Sequence, residues 1–151
     1  MRDIDNKFIK AVYRDDIKAV KTYIKLGADI HFGNDEALRW ASHQGYVAMT
    51  KLLLNQGADV HAYDDYALVF SANSGYYKIV KLLLDHGADV HAQGDDALIT
   101  ASDRGYDKVV KVLLAYGADV HVDNNYALQL AYTKGHGKVA NLLRKCMEEL
   151  E

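Results

Sequence analysis

Apolar and polar residues alternate with helical periodicity in two adjacent segments near the middle of the chain. In residues 77–84 the apolar positions 79, 80, 82, 83 and 84 make a wide stripe, which predicts a helix buried by its neighbours. A shorter apolar run, residues 66–72, predicts another helix just before it. Gly75 lies between the two, and glycine favours the positive-φ position that ends a helix. The pattern therefore predicts a helix–turn–helix unit.

This unit recurs at a fixed interval of 30 residues. The motif Gly-Ala-Asp, then Ile or Val, then His, begins at Gly27, Gly57, Gly87 and Gly117. A fixed period of this size is typical of repeat proteins, whose stacked units bury a continuous core and leave an extended binding face. We therefore predict an all-α solenoid of about five stacked helix pairs.

Residues that favour helix ends punctuate each unit. Asp or Asn directly precedes each first helix and predicts an N-cap, whose side chain accepts a hydrogen bond from the helix's own backbone. Glycine follows each of the later first helices, where it predicts a C-terminal positive φ. The predicted N-caps are Asp5, Asp35, Asp65, Asp95 and Asn125, and the predicted C-terminal glycines are Gly45, Gly75, Gly105 and Gly135.

The two end units differ from the internal ones. Lys7 takes the position of the packed alanines Ala37, Ala67, Ala97 and Ala127, and Arg144 takes that of Leu54, Leu84 and Leu114. Polar residues there predict capping units, as a stacked array requires. We expect one domain over residues 1–151, with an N-terminal capping repeat at 1–26, three internal repeats at 27–120 and a C-terminal capping repeat at 121–151. We expect this array to be complete.

Composition narrows the functional classes. The net charge is −3 with both signs distributed along the chain, which argues against the clustered lysines and arginines of a nucleic-acid-binding surface. No apolar run is long enough to span a membrane, and the N-terminus lacks the apolar core of a signal peptide. The one cysteine, Cys146, cannot form an internal disulfide, so we expect a reducing compartment, the cytoplasm or nucleus.

The repeated columns resemble those of the ankyrin repeats. Residues 75–91, Gly-Tyr-Tyr-Lys-Ile-Val-Lys-Leu-Leu-Leu-Asp-His-Gly-Ala-Asp-Val-His, are similar to the family's Gly-His-x-x-x-Val-x-x-Leu-Leu-x-x-Gly-Ala-Asp-Val-Asn. The usual ankyrin period is 33 residues, and segments such as Glu36-Ala37-Leu38-Arg39 replace the family's Thr-Pro-Leu-His. We infer shortened inter-repeat loops. The shorter repeat is similar to the large ankyrin sets of giant DNA viruses of amoebae, which would place the protein in a host's cytoplasm or nucleus.

The resemblance implies a non-catalytic module without a cofactor or metal that binds a protein partner. In ankyrin proteins the loop tips and first helices line a concave groove. Positions there that vary between the units of this chain are the candidate contacts, and we expect a monomer that binds protein rather than nucleic acid or membrane. The candidates are Phe32, Glu36, His43, Tyr63, Tyr66, Asn73, Gln93, Asp96, Asp103, Arg104, Asn124, Tyr126 and Thr133.

Several conspicuous residues are expected to have structural roles. The histidines His31, His61, His91 and His121 should lie roughly 10 Å apart in successive layers, too far to share a zinc ion. Each imidazole is expected to form a hydrogen bond with the backbone of its own loop. Two alternatives are a pH-sensitive role, since histidine titrates near neutrality, and the side-chain hydroxylation that the ankyrin resemblance implies. The recurring Asp29, Asp59, Asp89 and Asp119 should stabilise turns. Trp40 is expected to fill the core, and Cys146 to be inert.

Other functions remain open from sequence alone. Exposed aromatic residues would also suit a self-associating scaffold, which concentration-dependent light scattering would reveal. An enzyme would need one cleft with coupled titrating groups, and no motif supports one. A designed array is a third alternative, although irregular columns containing Ser71, Thr100 and Ala140 argue against it.

Overall fold

The computed structural model describes residues 2–150, which form ten α-helices and no strand. In chain order the helices are α1 (Asp3–Tyr13), α2 (Ile17–Lys25), α3 (Phe32–Gln44), α4 (Val47–Asn55), α5 (Ala62–Asn73), α6 (Tyr77–Asp85), α7 (Ala92–Asp103), α8 (Asp107–Ala115), α9 (Val122–Thr133) and α10 (Gly137–Leu150). The predicted all-α solenoid of five helix pairs is confirmed. No helix among the described residues has the length and apolar character needed to cross a membrane.

The five pairs stack into two layers of helices. Each first helix contacts the second helix of its own pair and the first helices of adjacent pairs. The second helices form the other layer, in which α4 contacts α6, α6 contacts α8, and α8 contacts α10. The loop side of the stack carries the first helices and the turns before them, and the second-helix side lies opposite.

Repeated leucine and alanine columns form the core between the layers. Leu53, Leu83, Leu113 and Leu143 are fully buried, and so are Leu38, Leu68 and Leu98. The predicted alanine column Ala37, Ala67, Ala97 and Ala127 is buried as well. Lys7 interrupts the alanine column and Arg144 interrupts the column of Leu54, Leu84 and Leu114, and both of these polar residues are exposed. Apolar burial thus follows the 30-residue period throughout the stack.

The glycines after the helices have the expected left-handed conformation. Gly75 has φ of +79°, and a Cβ there would also lie 3.1 Å from the Tyr106 ring. Asp15 occupies the equivalent position in the first unit and adopts φ of +54°. Aspartate tolerates this region better than most non-glycine residues. The first unit therefore forms the same turn even though aspartate replaces the glycine there.

The prediction that aspartates cap the first helices is wrong. Asp35, Asp65 and Asp95 each end a run of three residues with positive φ, whereas an N-cap residue has extended backbone. Their carboxylates accept hydrogen bonds from the following unit instead of from their own helix. An aspartate N-cap does occur at Asp16, whose side chain accepts from the backbone N–H of Ala19.

These carboxylates form what we call the aspartate joints. In each joint a buried Asp Oδ1 accepts the backbone N–H of the residue 24 positions later, which lies in the next turn. The four joints are Asp5 to Asp29 at 2.9 Å, Asp35 to Asp59 at 2.7 Å, Asp65 to Asp89 at 2.9 Å, and Asp95 to Asp119 at 2.8 Å. One aspartate in each of the first four units therefore ties that unit to the turn that precedes the next.

The recurring turn aspartates behave as predicted. Each accepts a hydrogen bond from the backbone N–H two residues ahead, at 2.8 to 3.0 Å, which closes a local turn. Asp59, for example, accepts from His61 and donates its own N–H to the joint with Asp35. These turns therefore connect directly to the joints.

The histidines do not bond the backbone through their rings as expected. In His31, His61 and His91 the ring Nδ1 lies 3.0 to 3.2 Å from the carboxylate of the joint aspartate four residues later. The oxygens of a buried carboxylate lose their hydrogen bonds to water and need partners in the protein. The imidazole is one such partner. This hydrogen bond to Asp65 raises the pKa of His61 above its usual 6.5, and the bond to Asp95 does the same for His91.

Candidate protein-binding surface

A continuous line of rings crosses three successive first helices on the loop side. We call it the aromatic track, formed by Tyr13 of α1, Trp40 and His43 of α3, and Tyr66 and Phe70 of α5. Adjacent ring centroids are 4.6, 6.1, 3.9 and 5.7 Å apart along the sequence Tyr13, Trp40, His43, Phe70, Tyr66. Three of these distances are typical of interacting aromatic pairs, and the His43 and Phe70 rings are closer still, at 3.9 Å.

The track is built by helical spacing and by stacking. His43 follows Trp40 by three residues and Phe70 follows Tyr66 by four, so each pair lies on one face of its helix. Trp40 and Phe70 occupy the same position of consecutive units, and the His43 ring lies between them. Tyr13, Trp40 and Tyr66 remain 38%, 37% and 39% exposed. The prediction that Trp40 fills the core is therefore wrong.

A hydrogen bond fixes one end of the track. The Tyr13 hydroxyl donates to the carboxylate of Glu36. Burial and this hydrogen bond raise the pKa of Tyr13 to about 12. A rigid tyrosine costs less conformational entropy when it contacts a partner.

The same face changes character towards the C-terminus. Thr100 and Leu130 replace Trp40 and Phe70 in the repeated column, and an open cleft of about 300 Å³ lies there. We call it the central cleft, and it is lined by Asn73, Ile99, Thr100, Asp103, Arg104, Tyr126 and Leu130. The Arg104 Nε donates to Asn73 Oδ1 at 2.8 Å, and Lys134 Nζ is 3.7 Å from the Asp103 carboxylate. The cleft therefore presents paired polar groups around an apolar floor.

The turn tips carry further contacts between units. The Arg39 guanidinium lies 4.4 Å from the centre of the Tyr63 ring, a cation–π geometry. Gln93 Nε2 donates to the Asp64 carbonyl at 2.9 Å. Both contacts join one unit to an adjacent unit, so the exposed tips are held in place.

The structure brings several of the sequence-predicted contact residues together. Glu36, His43 and Tyr66 lie on or beside the aromatic track, and four others line the central cleft. Those four are Asn73, Asp103, Arg104 and Tyr126.

The remaining predicted residues are dispersed. Tyr63, Gln93 and Asn124 lie exposed in the left-handed segments with which α5, α7 and α9 begin. Thr133 lies exposed at the end of α9. Asp96 is half-buried, and its carbonyl accepts from the Thr100 hydroxyl. Phe32 packs partly against the hydrophobic core, which reduces the area it offers to a partner.

Sequence reasoning missed Tyr13, Trp40 and Phe70. Tyr13 occupies the same repeat position as His43, Asn73, Asp103 and Thr133, so including the first unit in the comparison of variable positions would have found it. Trp40 and Phe70 vary to Thr100 and Leu130 in their column, which is the same signal. Large apolar side chains were instead read as core.

No group of three or more His, Cys, Asp or Glu side chains within residues 2–150 is placed to hold a metal ion. Cys146 is half-buried on α10.

Comparison with known protein families agrees with this architecture. A family model of ankyrin repeats in three copies matches residues 8–94, and a single ankyrin repeat model matches residues 93–125. The chain therefore belongs to the ankyrin repeat family, whose members are in general protein–protein interaction modules. No curated protein matches the chain significantly.

Proposed function

We propose that this chain is a non-catalytic module that binds a protein partner through the aromatic track and the central cleft. The observation that carries this proposal is the track itself. Three of its rings are more than a third exposed on adjacent rigid helices, and aromatic residues dominate binding energy at protein interfaces. The mixed polar lining of the central cleft suits the rim of such an interface.

The binding surface is preformed. Hydrogen bonds and ring stacking already hold Tyr13, Trp40 and Phe70, so a partner would meet a fixed surface rather than order a flexible one. Such rigidity favours affinity because less side-chain entropy is lost on binding.

A cross-linked pull-down read by mass spectrometry tests the proposal. The wild type is compared with a Trp40→Ala/Tyr66→Ala variant and with Tyr116→Ala, which removes a similarly exposed ring on the second-helix side. Circular dichroism first establishes that all three are folded. A protein captured by the wild type and Tyr116→Ala but lost from the double variant supports the proposal. Equal capture by all three would place the site elsewhere.

We further propose a host protein as the partner and amoebal lysate as its first source, since the 30-residue repeat is similar to giant-virus ankyrin arrays. The proposal includes a monomer that acts in the cytoplasm or nucleus, with residues 1–26 and 121–151 as capping repeats around 27–120. The exposed Lys7 and Arg144 support the capping roles. Analytical ultracentrifugation separates the monomer from a self-associating scaffold, for which a concentration-dependent mass would be expected.

A further inference from the structure

Positive charge gathers on the second-helix side of the stack. Eleven of the 18 lysines and arginines lie on the five second helices, against only four of the 21 aspartates and glutamates. Both signs alternate along the chain, but the 30-residue period returns lysines to one face, as at Lys21, Lys51, Lys81 and Lys111. Positive charge is therefore concentrated on the second-helix side and negative charge on the rest of the molecule, despite the small net charge.

Neighbouring second helices are joined by polar contacts in the middle of the stack. Across α4 and α6, the ring Nε2 of His86 lies 3.4 Å from Asn55 Oδ1. Across α6 and α8, the Tyr116 hydroxyl bonds Asp85, and Lys108 Nζ lies 5.2 Å from the Tyr77 ring centre. Within residues 2–150, no side-chain hydrogen bond or ion pair connects α8 with α10.

The unbridged space between α8 and α10 is an open groove of about 530 Å³, which we call the lysine groove. Lys108 and Lys111 of α8 line one wall, and Lys138 and Lys145 of α10 line the other. Leu142 forms its floor, and an adjoining hollow of about 270 Å³ adds Leu114, Ala115 and Cys146.

The charges of the lysine groove are poorly compensated. Asp107 is the one acid in its lining, and Glu149 pairs with Lys145 at 3.7 Å in the adjoining hollow. Neither Lys111 nor Lys138 makes an ion pair with any residue in the described range. Lys111 and Lys138, on opposite walls of the groove beside Leu142, therefore favour a ligand that carries negative charge along both edges of an apolar ridge.

We propose that the lysine groove is a second binding site, which takes an acidic amphipathic helix of a partner protein. A helix laid between two helices is an established recognition mode, with its apolar face in the groove and its flanks on the rim. Leucines of the ligand would contact Leu142 and Leu114, and glutamates on either flank would face the lysines. This site lies on the opposite side from the aromatic track and does not depend on it.

Other anionic partners fit this geometry less well. A nucleic acid backbone presents phosphates without an apolar ridge to cover Leu142, and its recognition favours arginine forks over apolar floors. A membrane presents a broad surface rather than a ridge narrow enough to enter a groove between two helices. Both are outcomes that the test distinguishes.

The test uses the full chain and a fluorescein-labelled peptide of about 18 residues, with leucines at helical spacing and glutamates on both flanks. Fluorescence anisotropy at about 50 mM salt should show saturable binding that weakens at higher salt. A Lys111→Gln/Lys138→Gln variant should bind about tenfold more weakly. Thermal unfolding followed by circular dichroism establishes that this surface variant remains folded.

A matched control comes from the α2–α4 groove. That groove is smaller, about 200 Å³, and carries Lys21 and Lys25. A Lys21→Gln/Lys25→Gln variant has the same net charge as the groove variant and should bind within about twofold of the wild type. Equal weakening in both variants would show a diffuse charge effect and overturn the proposal.

The reactivity of Cys146 provides an independent test of where the peptide binds. Cys146 lines the hollow that adjoins the lysine groove and is the chain's one cysteine. Bound peptide should slow its reaction with a thiol reagent in the wild type, and unchanged reactivity at saturation would overturn the assignment. No peptide binding at low salt would also overturn it. So would groove-dependent binding of duplex RNA or of phosphatidylserine vesicles without peptide binding.

Discussion

One joining contact recurs at every step on the loop side, whereas the second-helix side has no recurring side-chain contact among the described residues. On the loop side the same aspartate joint recurs four times, always over 24 residues. On the second-helix side the pairs are His86 with Asn55 and Tyr116 with Asp85. Within residues 2–150, no side-chain hydrogen bond or ion pair joins α2 to α4 or α8 to α10. The regular geometry of the stack is therefore specified on the loop side.

The chemistry of the two kinds of contact explains the difference. An aspartate joint uses one side chain and a backbone N–H, which every residue except proline supplies. The second-helix contacts need two compatible side chains, and a substitution of either partner removes them. The joint aspartates are also buried, so losing one leaves desolvated groups, whereas the second-helix pairs are exposed and weak.

The largest loss of stability should come from the core that both sides share. Leu83→Ala removes a fully buried side chain of α6 and should lower the free energy of unfolding by about 2–5 kcal/mol. Urea denaturation followed by circular dichroism measures this loss and sets the scale for the polar joints. A loss below about 1 kcal/mol would mean that the layers relax around the cavity.

A direct comparison of the two sides uses Asp65→Asn and Asp85→Asn. The Asp65→Asn change would keep the left-handed backbone but would weaken a charge-assisted bond to the Asp89 N–H, so we expect a loss of about 1–2 kcal/mol. The same change at Asp85, an exposed partner of Lys81 and Tyr116, should cost less than about 0.5 kcal/mol. Equal losses in urea denaturation would contradict the division into two kinds of contact.

A smaller effect, of opposite sign, is expected at Thr50 of α4. Its hydroxyl is buried without a hydrogen-bond partner, and the equivalent positions hold Val80 and Val110. Thr50→Val should raise the free energy of unfolding by about 1 kcal/mol because it removes that desolvation cost at constant shape. Thr50→Ser, which keeps the hydroxyl and opens a cavity, is the control. Its stability should fall, and a stabilised serine variant would rule out the desolvation argument.

The smallest effect is a dependence on pH confined to the loop side. The pKa of His61 and His91 is raised by their bonds to Asp65 and Asp95, so protonation of these histidines favours the folded state. Their contribution is fully present below about pH 6.5 and is lost as the pH rises through the raised pKa. Because both rings are more than half exposed, we expect only a few tenths of a kcal/mol.

Urea midpoints at about pH 6 and 8 test this pH dependence. The midpoint should fall slightly at the higher pH, and a His61→Gln/His91→Gln variant should lose most of the change. Lys81 and Asp85 provide the comparison, since the pKa of Lys81 is raised and that of Asp85 lowered by their mutual bond, away from this range. An undiminished slope in the double histidine variant would assign the pH dependence to other groups.

The sequence predicts the fold well because the fold depends on periodic burial. Leucine and alanine columns, glycine positions and the break in the columns at Lys7 and Arg144 are all visible in one chain, and the structure follows them. The sequence marks the aspartates before the first helices but predicts the wrong hydrogen-bond partner for them. A helix cap is a local contact, whereas the joint reaches 24 residues ahead and appears only after stacking.

The binding surface is harder to predict because the type of a residue does not determine whether it is exposed to solvent. Trp40 looks like core by its chemistry, yet it lies on the loop side, where no further helix layer covers it. The lysine groove cannot be predicted from the sequence for a similar reason. Charges that alternate along the chain are sorted onto opposite sides only when the helices stack.

The constant reach of the aspartate joint has a consequence for how such a chain changes length. Each internal unit contributes one acceptor and one donor, and every joint spans the same 24 residues. Deleting or duplicating any block of 30 residues would leave each remaining acceptor facing a donor in the correct register. Gene duplication or unequal recombination can therefore lengthen or shorten the array by whole units without inventing a new joint, while the second-helix side diverges freely.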